Sequence, residues 1–482
     1  MLWQQQVLFF CRLLLCLFLF SCASALLGPI KYAVLPDHMA KSHLPRANAW
    51  IETTTFAAIL LGTVCTGLSF YFQNELQIIT ALIIIIFALF SWVTSCFMPD
   101  NIPAQSDLII DRNIIRATTS TLKESIQDKR LLIVSLIISW FWFIGATLLS
   151  VIPILTASLN CLPHGTIIFL MFFSIFGAMG SAIATWLSAE RINLLLPVIG
   201  TLVFGFSCID LSVVINSLHL ELKVKTLSDF FSHSQLLHIM FDFALAAISG
   251  TFLVILGFSA LQAWAEPNQQ ARVIVANNIL NAAISALGAG IITFIQYLGA
   301  SLYMIILMPG IASLIAAIAL LKYMPTNPFR DIIFILFHIF FYLEIKSIEN
   351  LSEISKSPIL IFNHSSSLNC FLALVICEII NLHNLIIVID ANTAKLWWFC
   401  PFIKHINAFP VDSAHPFANR YLIRTLTQGR PLIISSKGNI AATHPPMKIY
   451  GLEHSFFQVS LVFTHAVNSF LKYVLSLIDL LL

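Results

Sequence analysis

Late in the chain, the stretch SPILIFNHSSSLNC (residues 357–370) carries a short apolar run into Asn363, His364 and a serine-rich turn. A strand that ends in a turn histidine is one way a sheet presents a base to a substrate hydroxyl. Such a base works with a carboxylate that orients the ring and stabilises the imidazolium. Five positions on stands Asn369, an amide that can hold the ring by a hydrogen bond but carries no charge. Taken alone, capping a helix from a turn is the simpler role for His364. A second set of polar residues sits in or beside long apolar stretches. Asp210 and Asp242 are acids of this kind. Ionisable groups within a membrane mark transport pathways by default, unless they lie at the interface. Asn277, Asn278 and Asn281 fall where another apolar stretch begins. Helix capping and interhelical hydrogen bonds are the simpler roles there. Lys31, in GPIKY, reads as an interfacial anchor or as a lipid-headgroup contact.

The composition says what must position these groups. Of 482 residues, 59% are hydrophobic and 10% charged, against about 25% charged in soluble domains. This is the composition of an integral membrane protein. A net charge of +2 points away from nucleic acid as a partner. The ten cysteines are scattered with no C-x-x-C pair, so neither a disulfide framework nor a metal site is expected.

Nine apolar stretches are long enough to span a bilayer, about 5–27, 54–72, 77–98, 131–155, 166–188, 192–215, 238–262, 278–298 and 301–321. The first could also be a signal peptide ending in Ala-Ser-Ala. Its amino-terminal region lacks Lys and Arg and Arg12 interrupts the apolar run, so a retained span is favoured. Positive charge gathers in alternate connections: Lys31, Lys41 and Arg46 in 28–53, five Lys and Arg in 99–130, then Arg191, Arg272 and Lys322. The exception is 216–237, with Lys223 and Lys225. The positive-inside rule then puts the N-terminus outside and everything after Lys322 in the cytosol. Beyond Tyr323, NPFRDIIFILFHIFFYLEIKSI reads as an interfacial helix rather than a tenth span. PILIF, NLIIVID and RPLIIS read as buried strands, while LNCFLALVICEII and PFANRYLIRTLTQG read as helices, so a small α/β domain is expected.

Several stretches, in order, resemble the bacterial bifunctional proteins that fuse a lysophospholipid transporter of the major facilitator superfamily to a lysophospholipid (2-acyl-glycerophosphoethanolamine) acyltransferase. They are GPIKYAVLP, TTFAAILLGT, SWFWFIGATLLS and QARVIVANNILNA in the membrane part, and SPILIFNHSSSLN, FPVDSAHP, GRPLII and MKIY after it. The resemblance implies a polytopic α-helical membrane protein with a partial major facilitator fold of about nine spans, followed by a small cytosolic α/β acyltransferase-like domain. In that family GPIKY follows the fourth membrane helix, so residues 1–323 look like such a transporter without its first three helices. Residues 324–345 would be the interfacial linker helix, 346–455 the acyltransferase-like domain and 456–482 an apolar tail.

The family's catalytic motif is His, four residues, Asp. His364 fills the first position and Asn369 the second. Loss of that charge in the serine-protease triad costs about 10⁴ in turnover. The family's second motif, Pro-Glu-Gly-Arg, helps hold the acceptor phosphate. Here Ser436, Lys437, Gly438 and Asn439 stand in its place. Lys437 offers a point charge without the arginine fork. The resemblance therefore implies a degenerate acyltransferase site, and whether the chain is an enzyme stays open. It implies no bound cofactor, only an acyl donor (acyl-carrier protein or a coenzyme A thioester) if active. The partners it implies are membrane lipid, lysophospholipid and acyl-carrier protein, at the bacterial inner membrane. Two other functions stay open: a non-catalytic remnant that binds lipid or a partner, and a major facilitator transporter of another solute.

Overall fold

The computed structural model describes residues 2–72, 74–97, 113–159, 164–189, 191–217 and 231–346, and after these mainly 359–362, 386–396, 407–411, 432–435 and 458–463 with isolated positions between them. It divides into two compact units, Met1–Thr326 and Asn327–Leu482.

The first unit is all helical. Its helices are α1 (Leu2–Ala33), α2 (Leu35–His38), α3 (Leu44–Phe72), α4 (Asn74–Ser95), α5 (Ile114–Gln127), α6 (Lys129–Ser158), α7 (His164–Ser188), α8 (Leu195–Ser217), α9 (Ser234–Trp264), α10 (Gln270–Tyr297) and α11 (Leu302–Tyr323). Among the described residues, eight helices are long and apolar enough to cross a membrane. The expected third span falls on α4 (Asn74–Ser95), whose described apolar part is Ala81–Ser95. The expected connection 28–53 is mostly helix, because α1 runs on to Ala33 and α3 already starts at Leu44. Tyr32, Asn48 and Glu52 in this stretch are buried and hydrogen-bonded inside the bundle, whereas Asp37, Lys41 and Arg46 stay exposed.

Helix α9 is the axis. It is apolar on all sides, and 83% of its most apolar stretch is buried. Helices α3, α6, α7 and α8 pack around it, and α11 packs on α8. Glycine lets the neighbours close in. A Cβ on Gly200 of α8 would stand 2.5 Å from the Ser249 carbonyl oxygen, and one on Gly180 of α7 would stand 2.7 Å from the backbone of Ile248. Without hydrocarbon-excluding water inside a bilayer, such small-residue contacts supply the packing. By contrast, the most apolar stretch of α1 is unburied, and Phe18, Phe20, Phe87 and Phe90 of α1 and α4 point outward. In a bilayer these side chains meet lipid. Asp128 starts α6: its carboxylate accepts from the Arg130 amide at 2.9 Å and from the Arg130 guanidinium at 3.0 Å.

The second unit begins with α12 (Pro328–Phe340), which gives way to strand β1 (Phe341–Lys346). In antiparallel register β1 pairs with β6 (Gln458–Phe463), Phe341 opposite Phe463 and Lys346 opposite Gln458. Four parallel strands, β2 (Ile359–Phe362), β3 (Ile386–Asp390), β4 (Ala408–Val411) and β5 (Leu432–Ser435), form a sheet in the order β2-β5-β3-β4. Their continuous apolar runs suit a parallel sheet covered on both faces, and Ile387, Ile389, Leu432 and Ile433 are buried. Strands β2 and β5 pair up to their last residues, Phe362 with Ser435.

Candidate functional site

Polar groups collect at both ends of α9. At its C-terminal end, Gln262 and Asn48 of α3 form a reciprocal amide pair: Asn48 Nδ2 donates to Gln262 Oε1 at 2.6 Å and Gln262 Nε2 donates to Asn48 Oδ1 at 3.2 Å. Asn48 also donates to Ser259 Oγ at 3.1 Å. Gln262 Nε2 donates to the Tyr32 carbonyl at 2.8 Å, and Gln270 Nε2 donates to the Gln262 carbonyl at 3.1 Å. The Tyr32 hydroxyl donates to the Glu52 carboxyl. The Tyr32 ring stacks on Phe258 at 3.7 Å, and the Lys31 ammonium lies 4.7 Å from the Tyr32 ring centre. Tyr32, Asn48, Glu52, Ser259 and Gln262 are all buried. This network ties α1, α3, α9 and α10 together.

The asparagines of α10 lie at the same end. Asn281 accepts from the Ser139 hydroxyl of α6 at 2.5 Å. Next to Ser139, Trp140 Nε1 donates to Ser313 Oγ of α11 at 3.1 Å. Asn278 is half-buried beside Gly28, with its Nδ2 3.7 Å from where a Cβ would be. Asn277 is 1% exposed, and neither its Oδ1 nor its Nδ2 has a hydrogen-bond partner. A buried amide left unpaired costs free energy unless a ligand or water completes it. Further along the seam between α6 and α10, a Cβ on Gly288 would run into the Phe143 ring. Beyond it opens an apolar cleft lined by Phe143, Ile291, Ile295, Ile305 and Met308.

At the N-terminal end of α9, His238 and Asp242 share one helical face at a spacing of four. His238 Nε2 is 2.8 Å from Asp210 Oδ2 of α8 and 4.0 Å from Asp242 Oδ2. Asp242 is 2% exposed and its Oδ2 has no hydrogen-bond partner, whereas His238 and Asp210 are about half exposed. From His238 to Gln262 the helix rises roughly 36 Å at 1.5 Å per residue, so the two clusters are about one bilayer core apart.

Residues 2–220 match the profile of the Major Facilitator Superfamily, from the start of α1 to just beyond α8. Together with the eight apolar helices, this match supports a multi-pass membrane protein of the transporter kind. No curated protein and no solved structure matches the chain.

The major facilitator match takes in Lys31, Tyr32, Asn48, Glu52 and Asp210, while α9 and α10 complete the same compact unit. Of the residues singled out from sequence, the structure joins Asp210 to Asp242 and sets Lys31, Asn277, Asn278 and Asn281 at the opposite end. His364, Asn369, Lys437, Gly438 and Asn439 lie outside the described residues. Sequence reasoning missed His238, although its spacing to Asp242 was a usable signal. It missed Glu52 because that residue fell just before an expected span, and it missed the Asn48–Gln262 pair because the partners are 214 positions apart.

Proposed function

We propose that the protein serves lysophospholipid transport and re-acylation at the bacterial inner membrane, with its α/β unit in the cytosol. The observation that carries this reading is the seam between α6 and α10. Its polar end holds the unpartnered amide of Asn277, and its other end is the apolar cleft by Ile291 and Ile295. Asn277 and Ile295 are separated by roughly 27 Å of helix at 1.5 Å per residue. An amphiphile with one headgroup and one acyl chain has this polarity and this length. Asn278 and Lys31 add donors near the headgroup end, and the resemblance of GPIKY and VANNILN to lysophospholipid transporters supports the same substrate class.

The α/β unit is an acyltransferase-like domain in this reading. His364 follows β2 by two residues and Lys437 follows β5 by two, and those strands are paired neighbours. In parallel sheets ligands bind beyond the carboxyl ends of strands. His364 would be the base and Asn369 its weakened partner. Lys437, Gly438 and Asn439 would face the acceptor phosphate, and the donor would be acyl-carrier protein or a coenzyme A thioester. The loss of the motif's carboxylate and arginine favours a second reading of this unit alone, a lipid-binding remnant with impaired catalysis.

The test uses the full chain in nanodiscs with fluorescent lysophosphatidylethanolamine. Binding should be saturable, and Asn277→Leu should weaken it by about tenfold, the worth of one hydrogen bond of about 1.4 kcal/mol. Equal binding by the variant overturns the headgroup assignment. For the second unit, Asn369→Asp should raise acyl transfer above the His364→Ala background. Activity that stays at background in a folded variant favours the remnant.

A further inference from the structure

We propose that Asp210, His238 and Asp242 form a binding site for a divalent transition-metal ion of the zinc class. The three side chains each offer one ligand atom, and these atoms all lie within 4.8 Å of one another. Two of them come from one helical face at a spacing of four, a spacing that lets a single helix chelate an ion. The third comes from the neighbouring helix α8, which packs directly on α9.

A second feature points into the same space. The Asp242 carboxylate is buried, yet its Oδ2 has no hydrogen-bond partner and only approaches His238 Nε2 at 4.0 Å. That is beyond hydrogen-bonding range. An ionised carboxylate in such surroundings needs a counter-charge. An ion between the three groups would supply it. Two carboxylates and a neutral imidazole then cancel the charge of a divalent cation, which suits a site between apolar helices.

The donor set selects the ion. Imidazole nitrogen with carboxylate oxygens suits zinc and its transition-metal neighbours, whereas magnesium and calcium prefer all-oxygen shells. Zinc holds such ligands at about 2.0–2.2 Å, so tetrahedral ligand atoms stand roughly 3.3–3.5 Å apart. The observed separations from His238 Nε2, 2.8 Å to Asp210 and 4.0 Å to Asp242, bracket that value. Asp210 and His238 are about half exposed, so a fourth position opens outward to water or a ligand. The bound ion would latch α8 to α9 at the end of the bundle far from Gln262. Composition offered no hint of this, because the ligands are two acids and a histidine rather than paired cysteines.

The experiment is cobalt titration of the chelator-stripped full chain in nanodiscs, followed by visible ligand-field absorption. One cobalt should bind per chain, be displaced by zinc, and resist excess magnesium or calcium. His238→Ala should weaken binding by more than the roughly 10–100-fold typical of outer-shell losses. Asp210→Asn changes an exposed group and leaves the packed helices alone, so it guards against misfolding as the cause. It should weaken binding in the same direction and abolish the rise in melting temperature that zinc gives the wild type. No saturable spectrum, a spectrum that survives His238→Ala, or displacement by calcium as readily as by zinc overturns the proposal.

Discussion

The two ends of α9 handle buried polar groups in opposite ways. In the network around Gln262 the groups answer one another: the amides of Asn48 and Gln262 pair, and the Tyr32 hydroxyl donates to Glu52. At His238 the cluster is left incomplete, with a buried carboxylate oxygen lacking a hydrogen-bond partner. A complete network fixes helices, because each member lost leaves another one stranded. An incomplete one is free to gain a ligand. The Gln262 network therefore serves to hold the helices together, while the incomplete groups, Asp242 at one end and Asn277 beside the network at the other, are the ones free to bind.

The sharpest way to break this comparison is Gln262→Ala. It leaves Asn48 Oδ1 and the Tyr32 carbonyl without their Gln262 donor, so thermal unfolding in detergent should show a loss of about 3 kcal/mol. A neutral result would mean that the Gln262 network is not structural. Next comes Gly200→Ala at the waist of α9. The new methyl meets the Ser249 carbonyl, which is backbone and cannot step aside, so a loss of about 1–3 kcal/mol is expected. Gly62→Ala, where nothing lies within 4 Å, is the matched control and should leave the melting point unchanged.

At the start of α6, Asp128→Ala removes a helix cap and should cost about 1 kcal/mol. Asp128→Asn keeps the cap and removes only the charge. The Arg130 guanidinium beside it holds the Asp128 carboxyl below the usual carboxylate range. A depressed pKa adds stability above the unfolded value, about 3.9, and that stability is lost as pH falls through the lower folded value. The gap in melting temperature between wild type and Asp128→Asn should thus be small at neutral pH and vanish in acid. A gap that grows in acid contradicts the ion pair. The smallest effect belongs to the His238 end. In metal-free protein, Asp242→Asn removes an uncompensated buried charge and should leave the melting point unchanged or raise it. A large fall would erase the distinction between the two ends.

How far these features could be read from sequence varies by distance along the chain. Membrane spans were legible because apolarity over twenty residues is a local property. The strand runs ILIF, IIVID and LIIS were legible because a parallel sheet buries both faces of each strand. Helix ends were less so: Glu52 and Lys31 look like connection residues until Tyr32 is seen to engage both. Strand β6 was read as apolar tail, since nothing local shows that it pairs with β1, more than a hundred positions earlier.

By itself, then, the sequence determined a multi-pass membrane protein with an α/β unit after it, and it named Asp210, Asp242 and the asparagines of α10 as groups out of place in apolar surroundings. Only the tertiary structure decided which of them meet. Asp210 joins His238 across two helices, Asn281 takes Ser139, and Asn277 is left with none. Burial follows from composition, because each residue carries its own transfer free energy. Partnership depends on which helix faces touch, and that is set by packing contacts such as Gly200 on Ser249, made between residues that the chain keeps far apart.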